Sequence, residues 1–358
     1  MHSPNVIVVL IAMVLLSVGV AAREPAYPIV REGHTLAFPL DHGAHPAFRT
    51  EWWYITAWLK DERGREFGAQ ITFFRHRPGV QEDNPSRFAP SQLLFAHAAV
   101  TDLRAGRLLH DQRAGRVGFG VNQAREGDTD VRLEGWRLVR QNDRYVATLK
   151  AARFEFDLRF QRTQPVLMQG RSGFSQKGPV LTQASYYYSL PQLAASGRIT
   201  IDGQPYSVTG TAWLDHEWSS EIMAAQAVGW DWAGINLTDG GALMAFRLRD
   251  VEGNAVWSSA TLRERDGRVE TFGPDQVEFS PLRRWQSGRT GANYPIHMKM
   301  RVAGRSIELQ PAMDDQELDA RNSTGTVYWE GAVRAIEMGR EVGRGYLELT
   351  GYWKKLNL

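Results

Sequence analysis

Apolar and polar residues alternate along almost the whole chain after residue 23. The pattern is clearest in the segments RFEFDLRF, RITIDGQPYSVTGTAWL and ALMAFRLRDVEGNAVWSSATL. Successive side chains of a β-strand point to opposite faces, so this period of two is typical of strands that are buried on one face. Turn-forming pairs such as Asp202-Gly203 and Asp239-Gly240 separate the alternating segments. The sequence therefore predicts an all-β chain, built as antiparallel barrels or sandwiches.

Two long meanders of such strands follow each other in the sequence. The first covers residues 50–218, and the second begins at GWDWAGINL (229–237) and continues to the C-terminus. The segment SSEIMAAQAVG lies between them as a candidate crossover. A chain of 358 residues is long for one hydrophobic core and sufficient for two. We therefore predict two domains, residues 23–222 and residues 223–358, each an antiparallel β-barrel.

The first 22 residues have the pattern of an export signal. An uninterrupted apolar run ends in the small residues Val20, Ala21 and Ala22, and charge returns at Arg23. Small residues at this position are what signal peptidase requires. Because the run is just long enough to cross a bilayer, a retained membrane anchor is the alternative. We predict that residues 1–22 are a cleaved signal peptide and that the mature chain is periplasmic or secreted.

The composition excludes several classes of protein. The chain has no cysteine, which excludes disulfides, thiol nucleophiles, iron–sulfur clusters and thiolate zinc sites. Its net charge is +2, with basic and acidic residues interleaved, so nothing indicates a nucleic-acid partner. The segment HEWSS has a serine where the zinc motif H-E-x-x-H needs its second histidine, and the G-x-S-x-G elbow of serine hydrolases does not occur. We therefore predict no cofactor and no metal.

The segment GTAWLDHEWSS (210–220) places three proton-handling residues between two tryptophans. Asp215, His216 and Glu217 lie between Trp213 and Trp218. In a strand, His216 shares a face with Trp218, whereas Asp215 and Glu217 share the other face with Trp213. One interpretation is structural, with these groups bonded to nearby backbone at a strand end. The other is acid–base catalysis or ligand anchoring, for which Asp215, His216 and Glu217 are the candidate catalytic residues.

Aromatic side chains cluster in three predicted strands, EWWYITAW, ASYYYSL and GWDWAG, and the chain has 12 tryptophans. Large rings in strands commonly fill a core, but they also form walls for an elongated apolar ligand and can stabilise a developing cation. A histidine inside the apolar strand FAHAAVTDL is either a core residue or a ligand contact. The candidate ligand-binding residues are Trp53, Tyr54, His97, Tyr187, Trp218, Trp230 and Trp232.

Ten segments of the sequence, taken in order, resemble one protein family. They are EWWYITAWL, FGAQITFFR, AHAAVTD, GFSQKGP, SYYYSLPQLAASGRI, GTAWLDHEWSS, GWDWAGINL, LMAFRLRD, YWEGAV and GRGYLELTGY. Together they are similar to the AttH-like branch of the CrtC-like lipocalin-domain family, whose members are often named predicted secreted hydrolases or carotenoid 1,2-hydratase-like proteins. The resemblance covers nearly the whole mature chain and implies two lipocalin-like β-barrels packed side by side.

The resemblance implies chemistry for some residues and not for others. In the hydratases of the family, a histidine and a tryptophan separated by one residue match His216 and Trp218. Their acidic residue falls near the segment LMAFRLR, which has no carboxylate in this chain. Hydration of an isolated alkene needs an acid that stays protonated near neutral pH, as a carboxylic acid buried in an apolar pocket does. Asp215, Glu217 and Asp231 are the candidates for such an acid, because each lies beside a tryptophan.

These observations lead to one expected function and two alternatives. We expect an exported, lipocalin-like protein that binds a hydrophobic small molecule, such as a lipid, an isoprenoid or a polyketide-like compound, in an aromatic-lined cavity. The first alternative is a hydro-lyase or isomerase that transfers protons through Asp215, His216 or Glu217. The second is a periplasmic accessory protein of an envelope transport system, with membrane or transport components as its partners. The sequence leaves open whether the protein is an enzyme.

Overall fold

The computed structural model describes residues 27–80, 84–86, 89 and 91–356. The predicted signal peptide, residues 1–22, lies outside the described residues. The described part of the chain is built from 23 strands and two short 3₁₀ helices, Leu40–His42 and Pro274–Gln276. Neither helix has the length and apolarity needed to span a bilayer. The all-β prediction is confirmed.

The first sheet contains thirteen antiparallel strands from the first half of the chain. They are β1 (Thr50–Asp61), β2 (Glu66–His76), β3 (Leu93–Asp102), β4 (Arg107–Arg116), β5 (Gln123–Ala124), β6 (Asp130–Leu133), β7 (Trp136–Gln141), β8 (Arg144–Lys150), β9 (Phe154–Gln161), β10 (Leu167–Met168), β11 (Phe174–Gln176), β12 (Ala184–Ile201) and β13 (Gln204–Glu221). The main order is β4-β3-β2-β1-β13-β12-β9-β8-β7-β6-β5, and β10 and β11 pair with β12. Strands from both ends of this order contribute to one apolar core, so the sheet curls around it.

The second sheet contains ten antiparallel strands from the second half of the chain. They are β14 (Gly229–Leu237), β15 (Ala242–Arg249), β16 (Ala255–Arg263), β17 (Val269–Phe272), β18 (Val277–Gln286), β19 (Asn293–Val302), β20 (Arg305–Pro311), β21 (Glu317–Ala320), β22 (Thr326–Glu337) and β23 (Arg340–Leu349). The main order is β17-β16-β15-β14-β23-β22-β20-β19-β18, and β21 pairs with β22. This sheet also curls around its own apolar core.

A third apolar cluster lies between the two sheets. Strand β1 shows how the alternation of the sequence produces it. Trp53 and Ile55 face the core of the first sheet, whereas Tyr54 and Trp58, on the opposite face, pack in the third cluster. Strands β14, β15, β22 and β23 supply the rings and aliphatic side chains of the second sheet to the same cluster. Strands near the middle of both sheets are therefore buried on both faces, which is why their burial is nearly continuous.

Specific polar contacts fix the two sheets to each other. The indole N–H of Trp58 donates to the carbonyl of Gly345 at 2.9 Å. The carboxylate of Glu66 accepts from Arg334 at 3.0 Å and from Arg344 at 2.5 Å. Because these partners lie on β22 and β23, the packing of the sheets has a defined register. That register decides which side chains meet in the space between the sheets.

A candidate ligand cavity between the sheets

The pairing of β1 with β13 separates the three candidate catalytic residues. Asp215 lies opposite Tyr54 and His216 lies opposite Trp53. Since neighbours across a strand pair share a face, Asp215 and Glu217 point towards the second sheet, whereas His216 points into the core of the first. The structure therefore does not bring Asp215, His216 and Glu217 together in one site.

A cavity of about 590 Å³ lies between the sheets on the side of Asp215 and Glu217. That volume is in the range of small-molecule sites. Aromatic and aliphatic side chains form most of its wall, and carboxyl groups from both sheets reach it. The wall of the cavity includes Trp52, Tyr54, Thr72, Phe74, His97, Lys177, Tyr187, Asp215, Glu217, Trp230, Trp232, Phe246, Leu248, Tyr328, Glu330 and Glu348.

Asp215 is held in the cavity wall by three donors. The hydroxyl of Tyr187 donates to Oδ2 at 2.7 Å, and Oδ1 accepts from the Ser189 hydroxyl at 2.5 Å and the Trp213 indole at 2.6 Å. Burial raises the pKa of Asp215 to about 7, although all three hydrogen bonds act to lower it. The Trp232 indole in turn donates to the Tyr187 hydroxyl at 3.1 Å. Asp215 is thus positioned to exchange its proton near neutral pH.

Glu217 forms an ion pair with a buried lysine. The ammonium of Lys177 lies 2.8 Å from Oε1 of Glu217, and both side chains are about 6% exposed. The Ser185 hydroxyl also donates to this carboxylate. The same ammonium lies 4.0 Å from the centre of the Phe246 ring and 4.8 Å from that of Tyr187, at cation–π distance. Glu217 therefore holds Lys177 in the wall, and this lysine was not predicted from the sequence.

Two further carboxyl groups, Glu330 and Glu348, reach the cavity from the second sheet. They are direct neighbours across β22 and β23. Burial and the nearby Glu348 charge raise the pKa of Glu330 well above its usual value. Burial, with smaller contributions from Asp215 and Glu217, raises the pKa of Glu348 to about 7, although the Trp230 indole donates to Oε2 at 3.1 Å. Neither residue was predicted from the sequence, although each is a lone acid in an apolar strand, VYWEGAV and GYLELTG.

His216 belongs instead to a buried polar network inside the first sheet. Its Nε2 lies 2.9 Å from Oε1 of Glu51, and its ring stacks on Trp53 with 4.7 Å between centroids. Burial lowers the pKa of His216 below its usual value, although Glu51 acts to raise it. Trp218 lies on the same face, stacked on His45 at 3.7 Å. Neither His216 nor the predicted ligand contacts Trp53 and Trp218 line the cavity.

Three residues of this network have the spacing of a metal site. One donor atom from each of His45, Glu51 and His216 lies within 4.8 Å of the others. However, the fully buried guanidinium of Arg75 lies 2.7 Å from Oε2 of Glu51. The neighbouring carboxylates raise the pKa of His45 to about 9, so its imidazole is a cation near neutral pH. The side chains of Arg75 and His45 already balance the charge of Glu51. The arrangement is therefore typical of a buried ion-pair network and does not favour binding of a metal ion.

His97 lies in the cavity wall where the two sheets meet. Its Nδ1 is 2.8 Å from the Tyr328 hydroxyl, and its Nε2 is 2.9 Å from Oγ of Ser323. Burial lowers the pKa of His97 to about 3, so the imidazole is neutral and a weak base. The Ser323 hydroxyl donates to the amide oxygen of Gln112 at 2.7 Å. A serine and a histidine are therefore adjacent, but a neutral phenol, rather than a carboxylate, orients the imidazole, which does not favour a hydrolase triad.

The third candidate acid, Asp231, points away from the cavity. Its carboxylate accepts from Arg247 at 2.8 Å and from Arg249 at 3.1 Å, and the Tyr352 hydroxyl donates to it at 2.9 Å. Its neighbours Trp230 and Trp232 lie on the opposite face and line the cavity. With two guanidinium partners and a phenol donor, Asp231 belongs to a structural ion-pair network on the far side of the strand, so the hypothesis that it supplies a buried acid does not fit the structure.

Comparison of the sequence and the structure with known proteins identifies the family of this chain. The sequence profile of the AttH-like family matches residues 29–352. The chain belongs to the AttH-like family. The chain is similar to a candidate AttH from Nitrosomonas europaea, for which a crystal structure is known. The two sequences are 48% identical and the structures superpose with a TM-score of 0.86, over 91% of this chain and 100% of that one. No curated protein matches the sequence.

More distant structures share the fold of the AttH-like chain. Kievitone hydratase from Nectria haematococca has 15% identity and a TM-score of 0.69, with 92% of this chain and 97% of that one covered. The structure of CghA with Sch210972 has 16% identity and a TM-score of 0.52, with 86% and 89% covered. These identities show the fold alone. The predicted family and the prediction of two lipocalin-like antiparallel barrels are confirmed.

Proposed function

We propose that this AttH-like protein binds an elongated apolar small molecule in the cavity between its two sheets. The observation that carries the proposal is the cavity itself, about 590 Å³ in volume, with tryptophan, tyrosine and phenylalanine side chains from both sheets in its wall. Burying an apolar molecule against such rings is favourable in proportion to the apolar area removed from water. A lipid, an isoprenoid or a polyketide-like compound fits this description.

The location of the protein is part of the same proposal. The apolar run in residues 1–22 supports export to the periplasm or beyond. An exported carrier or enzyme for an apolar compound would meet its ligand in or near the cell envelope.

Mass spectrometry of material extracted from the protein tests this function. We expect organic extracts of protein purified from its native host to contain one apolar compound in near-stoichiometric amount. Leu248, a buried residue of the cavity wall, gives the variant that closes the cavity, Leu248→Trp. The exposed Leu282 gives the matched control, Leu282→Trp. Extracts of Leu248→Trp should lack the compound and those of Leu282→Trp should retain it, whereas an empty wild-type protein in repeated preparations would contradict the proposal.

A second candidate function, proton transfer to the bound molecule, is favoured by the environment of Asp215. A carboxyl group with a pKa of about 7 can donate or accept a proton at neutral pH, which is what general acid–base catalysis requires. The Tyr187 hydroxyl, bonded to Asp215 and to Trp232, extends this group along the wall. A hydro-lyase or isomerase would use such a group on an alkene, with the rings of the wall stabilising the cation.

Deuterium incorporation separates catalysis from binding alone. The compound extracted from the protein is incubated with the wild-type protein in D₂O, and its mass and carbon-bound deuterium are measured. Catalysis predicts deuterium at a carbon atom, and loss of this incorporation in Asp215→Asn while binding is retained. Binding alone predicts an unchanged compound with both proteins.

A further inference from the structure

The opening of the cavity carries basic side chains from two distant parts of the chain. Arg49 directly precedes β1, and Lys354 and Lys355 follow β23. All three residues line the cavity; the two lysines are exposed and Arg49 is partly exposed. Their side chains therefore lie where the cavity meets the solvent.

None of these three basic groups forms an ion pair with a residue that the structure describes. The guanidinium of Arg49 packs against the ring of Tyr27, 5.9 Å from its centre, and its Nε has no hydrogen-bond partner among these residues. The ammonium of Lys354 lies 4.4 Å from the ring centre of the neighbouring tryptophan. That of Lys355 donates to the carbonyl of Ala225 at 2.9 Å, a neutral acceptor. All three positive charges are therefore uncompensated by the described part of the chain.

The segment that carries the two lysines is held against the crossover between the sheets. The backbone N–H of Leu356 donates to the Val228 carbonyl at 2.9 Å, and the bond from Lys355 to Ala225 joins the same two segments. A smaller cavity of about 270 Å³ lies beside this crossover, and Arg49 and Lys355 line both cavities. Basic groups from the two ends of the described chain thus meet at one place, and their like charges favour an anion there.

The acidic groups of the larger cavity lie in its interior. Asp215, Glu217 and Glu330 are buried, and Glu348 lies directly across from Glu330. The charges of Asp215 and Glu217 also act on Glu348, which shows that these carboxyl groups form one cluster. The remaining acid of the wall, Glu51, is buried and paired with an arginine. An anionic group is therefore disfavoured in the interior and favoured at the opening.

Two further titratable groups lie near the opening. His76 lines the cavity, and burial together with two neighbouring guanidinium groups lowers its pKa, so its imidazole is neutral at pH 7. Glu221 lines the smaller cavity and is exposed. One exposed carboxylate does not balance an arginine and two lysines, so the opening is positively charged.

We propose that Arg49, Lys354 and Lys355 bind the carboxylate or phosphate of an amphiphile whose apolar chain fills the cavity. We call these three residues the head-group site. Guanidinium and ammonium groups are common partners of both anions. The inference deepens the proposed function and rests on it, since it names the class of apolar molecule that the cavity takes. The charged end of the ligand would lie at the opening and the apolar end against the aromatic wall.

Three probes with the same ten-carbon chain test the head-group site. Decanoate and decyl phosphate carry an anionic head, and decan-1-ol carries a neutral one. Isothermal titration calorimetry at pH 7 measures the affinity of each for the wild-type protein. Each exposed ion pair contributes little, but three basic groups around one anion should make at least one anionic probe bind about tenfold more tightly than the alcohol. The anion that binds more tightly identifies the head group.

Salt dependence shows whether this preference is electrostatic. Because the basic groups are at the surface, dissolved ions screen their charge. We expect the preference of the wild-type protein to fall from about tenfold at about 20 mM NaCl to below threefold at about 500 mM NaCl. This measurement needs no variant and does not depend on how a substitution affects folding.

Substitutions assign the preference to the three residues. In a protein that carries Arg49→Gln, Lys354→Gln and Lys355→Gln, we expect the preference to fall below twofold, while the affinity for decan-1-ol changes by less than threefold. Retained binding of decan-1-ol shows that the protein is folded with its cavity intact. The matched control is Lys60→Gln, since Lys60 is exposed at the far end of β1 and lines neither cavity. It should keep the preference.

The outcomes distinguish this inference from the proposed function. Equal affinity of the wild-type protein for the alcohol and both anions would overturn the head-group site, as would a preference that salt or the triple substitution leaves unchanged. Loss of the preference in Lys60→Gln would overturn it too, because the net charge of the protein would then be responsible. Failure of the wild-type protein to bind any of the three probes would contradict the proposed function itself, and the head-group site with it.

Discussion

His216 makes all of its polar contacts on the side of the first sheet away from the cavity. Its Nε2 meets Glu51, and its Nδ1 lies 3.1 Å from both the Asp41 carbonyl and the Tyr188 hydroxyl. The residue is fully buried. Although His216 matches a histidine of the hydratases, its contacts in this chain are structural. Its removal should therefore affect folding and leave ligand binding unchanged.

Replacing His216 by alanine should lower the free energy of unfolding by about 2–4 kcal/mol. The change leaves Glu51 without one partner and opens a gap against Trp53, and both effects are costly in a buried site. Urea unfolding at pH 7 measures the loss. His297→Ala is the control, since His297 is half-buried and lies 3.4 Å from an exposed carboxylate, and it should lose less than about 1 kcal/mol. An unchanged stability in His216→Ala, combined with lost ligand binding, would contradict this assignment.

Glu348 should make the stability of the protein depend on pH. The pKa of this carboxyl group rises from 4.5 to about 7 on folding, so the folded state holds the proton more tightly than the unfolded chain. Its contribution therefore opposes folding increasingly as the pH rises from about 4.5 to about 7, and is constant above that range. Below pH 4 both states are protonated and the penalty disappears.

The variant Glu348→Gln isolates this effect, because the amide is neutral and its oxygen can still accept from Trp230. At pH 8 its free energy of unfolding should exceed that of the wild-type protein by about 1–2 kcal/mol, less than the full shift because the side chain is partly accessible from the cavity. At pH 4 the two proteins should agree. The exposed Glu62 supplies the control Glu62→Gln, which should follow the wild-type protein at both pH values. Equal stability of Glu348→Gln and the wild-type protein at pH 8 would show that Glu348 ionises freely.

At the scale of strands, β2 must approach the second sheet closely. A Cβ atom on Gly68 would lie 2.4 Å from the Tyr346 hydroxyl and 3.3 Å from Cβ of Ala332, both on the second sheet. Glycine is therefore required at this position for packing rather than for its backbone angles. The contact lies in the same interface as the Trp58 hydrogen bond.

We expect Gly68→Ala to destabilise the protein by about 1–3 kcal/mol, because the added methyl group forces the sheets apart or strains the Tyr346 ring. Thermal unfolding followed by circular dichroism measures the loss. Gly288→Ala is the matched control, since a Cβ atom there meets no heavy atom within 4 Å, and its effect should stay within about 0.5 kcal/mol. Equal melting temperatures of the two variants would mean that the sheets do not pack as closely as described.

Strands were the part of this protein that the sequence predicted best. The alternation in GTAWLDHEWSS places Asp215 and Glu217 on one face and His216 on the other, and the register of β1 and β13 agrees. The alternation could not tell which face meets a cavity, because both faces of a central strand are buried and both carry aromatic rings. Glu330 and Glu348 were missed for a related reason, since their adjacency depends on the register of β22 and β23.

For the whole molecule, the site depends on how two separate sheets pack. Asp215 and Tyr187 come from the first sheet, whereas Trp232, Glu330 and Glu348 come from the second. Sequence periodicity reports the burial of each strand but not the partner that buries it. The fold class and the number of sheets could therefore be predicted, and the cavity between them could not.

Binding of 2-ethylnaphthalene by isothermal titration calorimetry is the most direct test of a ligand site between the sheets. We expect saturable binding of one molecule to the wild-type protein and to the surface control Leu282→Trp. We expect at least a tenfold loss of affinity in Leu248→Trp, where the added ring occupies the cavity. Binding that is equally strong in Leu248→Trp, or absent from the wild-type protein, would contradict this expectation.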